Sequence, residues 1–280
     1  MEMVTGPIEM QQRALTAKRA GQRISFVPTM GFLHDGHLSL LQEGRKRGDL
    51  LVLSIFVNPT QFGANEDLST YPRALENDSE LARVAGTDLV FAPSSAAIYP
   101  PDASTWVNVE GLTDVLCGAS RPGHFRGVTT VVAKLFNLVQ PDVALFGCKD
   151  FQQLAVIRRM VRDLDIPVEI VGMPIVREAD GLALSSRNVY LTPDERQQAL
   201  VLSRAIATAR KMAGAGERDA GEIVAALRAL IAAQPAARID YLQICHQDTL
   251  QEQTAINRDS VLLLAVFIGK TRLIDNSFLL

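Results

Sequence analysis

The chain has 280 residues, 48% of them hydrophobic and 21% charged, enough to bury its own core and too apolar for intrinsic disorder. Lys and Arg total 28 against 31 Asp and Glu, a net charge of −3, so no chain-wide basic surface points to nucleic acid. Cys117, Cys148 and Cys245 are odd in number and lack C-x-x-C spacing, which argues against a disulfide framework and fits a reducing, cytoplasmic compartment.

In chain order, Pro7 before and Gly21 after frame a helix over residues 8–20. A short apolar strand at 24–27 closes on Pro28, and a helix runs from Leu38 to Arg47. Strands follow at 50–57 and 88–92, with a helix at 75–85 between them. Residues 94–127 read as irregular, long enough to suggest a binding loop. Then come a helix at 128–139, a strand at 143–146, a helix at 150–164 striped by Leu154, Ile157, Val161 and Leu164, and a strand at 168–171. Continuous apolar strands alternating with helices predict an α/β fold, a parallel sheet covered on both faces.

The tail differs. Thr192-Pro193-Asp194-Glu195 is a capping box that starts a helix, which Gly214 and Gly216 break. A helix at 220–233 and strands at 239–245, 261–268 and 272–276 complete a smaller α+β domain. The most apolar run, 261–268, is far too short to span a bilayer, and no signal-type segment opens the chain, so no membrane partner is expected. The expected division is 1–174 and 175–280.

Ligands of parallel sheets bind at the carboxyl ends of the strands, where the distinctive segments fall. His34-Asp35-Gly36-His37 joins a strand to a helix. Gly36 permits close backbone approach, the helix start attracts anions, and two imidazoles suit phosphate oxygens. A metal pair and two plain surface histidines are the other readings. Gly147-Cys148-Lys149-Asp150-Phe151-Gln152-Gln153 lies at a second such junction, where Lys149 offers a cation and Asp150 with Gln153 matches a capping box. Asn58 and Gln61 offer amides to a polar ligand or form a turn, and Arg126 is a loop arginine able to reach an anion or simply solvated. Ser185-Ser186-Arg187 can grip phosphate. Asp78 is a candidate Mg²⁺ ligand, or a helix-surface carboxylate.

Six segments in register resemble one family, the pantoate–β-alanine ligases. They are Pro28-Thr29-Met30-Gly31 through His37, Ser54 through Phe62, Tyr71-Pro72-Arg73, Gly123-His124-Phe125-Arg126-Gly127-Val128, Gly147 through Gln153, and Val176 through Asn188. Looser similarity continues in Asp240-Tyr241-Leu242 and Thr271-Arg272-Leu273-Ile274-Asp275-Asn276.

The resemblance implies a Rossmann-like domain with a smaller C-terminal cover, and a homodimer. It implies condensation of D-pantoate with β-alanine, using ATP and Mg²⁺ and releasing AMP and pyrophosphate through a pantoyl-adenylate. It implies that His34, His37 and Lys149 are catalytic and serve the ATP phosphates, with Ser185, Ser186 and Arg187 closing over them. Asp150 would take the ribose, and Met30, Gly147, Val176 and Leu184 would complete the ATP site. Asn58, Gln61 and Gln153 would hold pantoate, with Met30 and Val132 against its methyl groups. Cys148 stands where the family usually has Glu, which leaves either a thiol-sensitive site or an inert cysteine. Two other readings stay open: a nucleotidyltransferase acting on a phosphate ester, and an inactive nucleotide-binding regulator.

Overall fold

A computed structural model describes every residue except Asn65. Six strands, β1 (Glu2–Val4), β2 (Ile24–Thr29), β3 (Leu50–Ile55), β4 (Leu89–Phe91), β5 (Val143–Gly147) and β6 (Glu169–Met173), form one sheet. Its order is β1-β4-β3-β2-β5-β6, and every pairing is parallel. Alternation along each strand sends side chains to two cores. Phe26, Val52, Ala144 and Phe146 face one layer with Met10, Val131, Phe136 and Ile157. Val27, Leu51, Leu53 and Leu145 face the other with Leu40, Leu41 and Ala82. Burial on both sides explains why these strands read as continuous apolar runs.

The predicted helices are present at Pro7–Arg19, Asp35–Arg47, Leu75–Val84 and Phe151–Asp163. Three features depart from expectation. β1 was not foreseen, because three residues carry no period. The helix expected from residue 128 begins at His124, after Gly123 turns the chain through a left-handed φ of 82°. The stretch expected to be irregular contains single helical turns at Ser95–Ile98 and Cys117–Ser120.

Beyond β6, the antiparallel strands β7 (Ala237–His246), β8 (Ser260–Ile268) and β9 (Thr271–Phe278) pair in that order. β8 is central and serves two cores. Leu262, Leu264, Val266 and Ile268 pack with the helices Val201–Gly214 and Ala220–Ala232. Val261 and Leu263 instead join the core of the parallel sheet. The predicted mixed architecture is therefore observed, and the small sheet is seated against the large one.

Candidate active site

β2 stays paired with β3 as far as Thr29↔Ile55, but with β5 only at Ser25↔Val143 and Phe26↔Ala144. Two residues further on, Pro28 has no N–H to give a neighbouring strand. β2 and β5 part at their carboxyl ends, where the strand order reverses direction, and a cleft of about 250 Å³ lies there.

The turn after β2 forms one wall. Gly31 and Phe32 are both left-handed, at φ 83° and 52°. Asp78 holds this turn: Oδ2 accepts the Phe32 N–H at 2.8 Å and Oδ1 the Leu33 N–H at 2.7 Å. Asp78 is 1% exposed and does not line the cleft, so its candidacy as a metal ligand is corrected. Both its oxygens already accept backbone N–H groups, and its place is structural.

His34 and His37 stack with ring centroids 4.1 Å apart. A Cβ on Gly36 would stand 2.9 Å from His34 Cε1, so only glycine leaves room for that ring. His37 Nδ1 accepts the His34 N–H at 3.3 Å, which puts the proton of the neutral ring on Nε2, a donor for the cleft. Burial, then His34 and Lys149, push His37 down to about 3. Burial and Lys149 lower His34 as well. Both rings are neutral donors at neutral pH. Asp35, Asp150 and Lys149 are their charged neighbours, and no metal-holding group of three His, Cys, Asp or Glu exists among the described residues.

The facing wall follows β5. A 3-10 turn, Cys148–Asp150, places Lys149 against both histidines and leads into the helix Phe151–Asp163. Lys149 makes no ion pair among the described residues, and burial lowers its pKa against the opposing pull of Asp150. Asp150 starts the helix without a side-chain cap, so the capping-box reading is corrected and its exposed carboxylate borders the cleft. Gln153 also lines the cleft, whereas Gln152 is turned away, bonded to Cys117, Leu112 and Val115. Cys148 is half-buried and burial raises its thiol pKa, which favours the inert reading.

The floor is made where the helix His124–Val139 meets the Asn58–Gln61 turn. Asn58 Nδ2 donates to Gln61 Oε1 and to the Gly127 carbonyl, both at 3.1 Å, and its Oδ1 accepts from Tyr99 and Thr60. These bonds set the orientation of the Asn58 amide, and Asn58 lines the cleft beside Gln61. Gln61 Nε2 engages only Met30 Sδ, at 3.3 Å. Val132, Val131 and Leu135 give the floor an apolar half.

Two ion pairs close over the cleft. Arg187 grips Asp67 at two points, 3.0 and 2.9 Å, and Arg121 grips Glu66 at 2.6 Å twice. Ser185, Ser186, Val176 and Leu184 line the same side, with Met30 and Gly147 opposite. Arg121, Tyr71 and His124 also line it and were not assigned roles from sequence. His124 is buried: Nδ1 meets the Gln61 carbonyl at 2.8 Å and Nε2 faces Arg121 at 3.2 Å. Arg126 points elsewhere, stacked 4.7 Å over Trp106.

The family model for pantoate–β-alanine ligase matches residues 2–278. The chain belongs to the pantoate–β-alanine ligase family. It is 61% identical, over 100% of its length and 99% of the relative's, to a pantothenate synthetase of Syntrophotalea carbinolica. A pantothenate synthetase of Trichlorobacter lovleyi is 59% identical over 100% of this chain and 99% of its own. The crystal structure of pantothenate synthetase from Thermus thermophilus superposes with a TM-score of 0.95 at 48% identity, covering 100% of this chain and 99% of that one. The pantoate–β-alanine ligase of Francisella tularensis, solved with a β,γ-ATP compound and β-alanine, superposes at 0.82 with 32% identity, covering 99% and 97%. The family's reaction, ATP-dependent joining of pantoate to β-alanine, is the chain's enzymatic class, and the six segments that carried the resemblance converge on one cleft.

Proposed function

We propose that this cleft first makes a pantoyl-adenylate from D-pantoate and ATP, then transfers the acyl group to β-alanine in the cytoplasm. The observation that carries the reading is the grouping of His34, His37 and Lys149 where β2 and β5 diverge. A carboxylate cannot acylate an amine directly because oxide is too poor a leaving group. Attack of one pantoate carboxylate oxygen on the α-phosphorus expels pyrophosphate and leaves AMP as a good leaving group. The neutral amine of β-alanine then attacks the acyl carbon, the C–N bond forms and AMP departs.

Such chemistry needs positioned positive charge and hydrogen-bond donors more than a protein nucleophile. Lys149 and Arg187 supply charge; the two neutral imidazoles donate without opposing it. Ser185 and Ser186 close the phosphate side. Asp150, whose side chain caps no helix, is free for the ribose hydroxyls, and Met30, Gly147, Val176 and Leu184 frame the nucleotide. Gln61 and Gln153 offer amides to the pantoate hydroxyls and carboxylate, Asn58 orienting the first; Met30 and Val132 take its methyl groups.

Asp150 is the only carboxylate lining the cleft among the described residues. The donor set therefore fits Mg²⁺ carried on the triphosphate with its own waters, not caged by protein. When bound, such an ion neutralises charge on the phosphate oxygens. We assign residues 1–174 to substrate binding and 175–280 to a cover, in a homodimer; no helix among the described residues is long and apolar enough to cross a membrane.

The test is pyrophosphate and AMP release from ATP and Mg²⁺ by purified protein. Pantoate alone should give at most one turnover, and adding β-alanine should give steady AMP and pantothenate. No pantoate-dependent pyrophosphate in a single turnover would reject the reading and favour transfer to another acceptor.

A further inference from the structure

The segment Arg272–Asn276 has no part in the chemistry above, yet it meets the catalytic turn directly. Asn276, 7% exposed on β9, donates through Nδ2 to the Cys148 carbonyl and to the Lys149 carbonyl, both at 2.9 Å. One planar amide nitrogen carries two hydrogens, and it uses them on two successive carbonyls of the turn that bears Lys149. Its neighbour Asp275, also buried, holds Arg177 at 2.7 and 2.9 Å, and Arg177 lies next to Val176 of the cleft. The Asn276 N–H is itself fixed on Asp275 Oδ1 at 2.8 Å. A second, smaller cavity of about 70 Å³ separates these groups from Gln153 and Arg187.

We propose that Asn276 is a positioning residue for the proposed ligase step: it fixes the backbone on both sides of the Lys149 side chain, so that placement of the ammonium depends on the C-terminal sheet being docked. The inference rests on the role given to Lys149. Lys149 has four rotatable side-chain bonds and no ion-pair partner among the described residues, so its anchor is its own backbone. No other side-chain donor reaches those two carbonyls among the described residues. An aspartate or alanine at this position cannot donate to either.

The experiment uses the whole protein. In Asn276→Ala, kcat for pantoate-dependent pyrophosphate release should fall about 10- to 100-fold, the size expected for a misplacement near 1 Å, with KM for pantoate changed less than about threefold. In a Lys149→Ala background the same change should lower single-turnover pyrophosphate release by less than about twofold, because both act through one group. Pyridoxal phosphate, an amine-directed phosphate probe, should label Lys149 with altered rate in Asn276→Ala and lose its ATP protection.

Unchanged kcat in a folded Asn276→Ala, or an equal loss with and without Lys149, would overturn the proposal. If Asn276→Ala does not fold, Asn276→Gln keeps the amide but moves its nitrogen by one methylene. It should show the same kcat loss with KM retained, and wild-type kcat would overturn the proposal. Wild-type protein run in parallel separates the two ideas: no pyrophosphate there rejects the proposed function itself, whatever the variants do.

Discussion

His124 shows how one buried ring ties stability to pH. Its Nδ1–H donates to the Gln61 carbonyl and Nε2 accepts from Arg121, so the folded ring is neutral. Burial, reinforced by Arg121, lowers it from 6.5 to about 4. The unfolded ring binds its proton first, so this stabilisation is complete above pH 6.5 and is lost as pH falls toward 4. The loss approaches about 3 kcal/mol. Melting curves across that range should slope less in His124→Gln, whose amide can keep both bonds. Asp78 makes a second test. Asn in its place retains one acceptor where two N–H groups wait, and should destabilise the protein by about 1–3 kcal/mol, read from urea midpoints. The Mg²⁺ concentration needed for half-maximal activity should stay unchanged, since Asp78 is outside the cleft. At Cys148, the raised thiol pKa predicts slow alkylation at pH 7.5 relative to a small free thiol, measured by mass spectrometry.

At the scale of elements, the contact of the helix His124–Val139 with the Asn58–Gln61 turn depends on Gly127. A Cβ there would lie 2.5 Å from the Thr60 carbonyl oxygen, a backbone clash. Gly127→Ala should push helix and turn apart, cost about 1–3 kcal/mol and raise KM for pantoate more than KM for ATP. Strands and long helices were legible because burial writes a period or an apolar run into the chain. The histidine turn and the lysine turn were legible as strand-to-helix junctions. Asp78 was misread because its partners, the backbone N–H groups of Phe32 and Leu33, leave no trace in side-chain identity. Arg121 was missed for a related reason: its carboxylate partner Glu66 is 55 residues away. The Arg187–Asp67 pair spans 120 residues and is equally invisible to spacing. Being partly exposed, it should contribute under about 1 kcal/mol, so Asp67→Asn should change the melting point little while lowering KM for ATP by freeing Arg187.

At the scale of the molecule, the two sheets are not independent bodies. Val261 and Leu263 leave β8 for the large core while their neighbours Leu262 and Leu264 serve the small one. A single cooperative calorimetric transition should result, with calorimetric and van't Hoff enthalpies equal; two resolved peaks would contradict the shared core. The place of β2 has a further consequence. It lies inside the sheet between β3 and β5, and the turn bearing His34 and His37 is spliced to its end. Glu66 and Asp67 lie outside any strand or helix, and Arg187 sits in the short 3-10 turn Ser186–Tyr190, so neither segment is hydrogen-bonded between two strands. Amide exchange should therefore be graded across the cleft, slowest in β2 and β5 and fastest over residues 66–70 and 185–190. The two walls built on β2 and β5 would keep a fixed shape over hours while the segments that close over them sample opening many times, so the nucleotide meets a rigid base and a yielding cover.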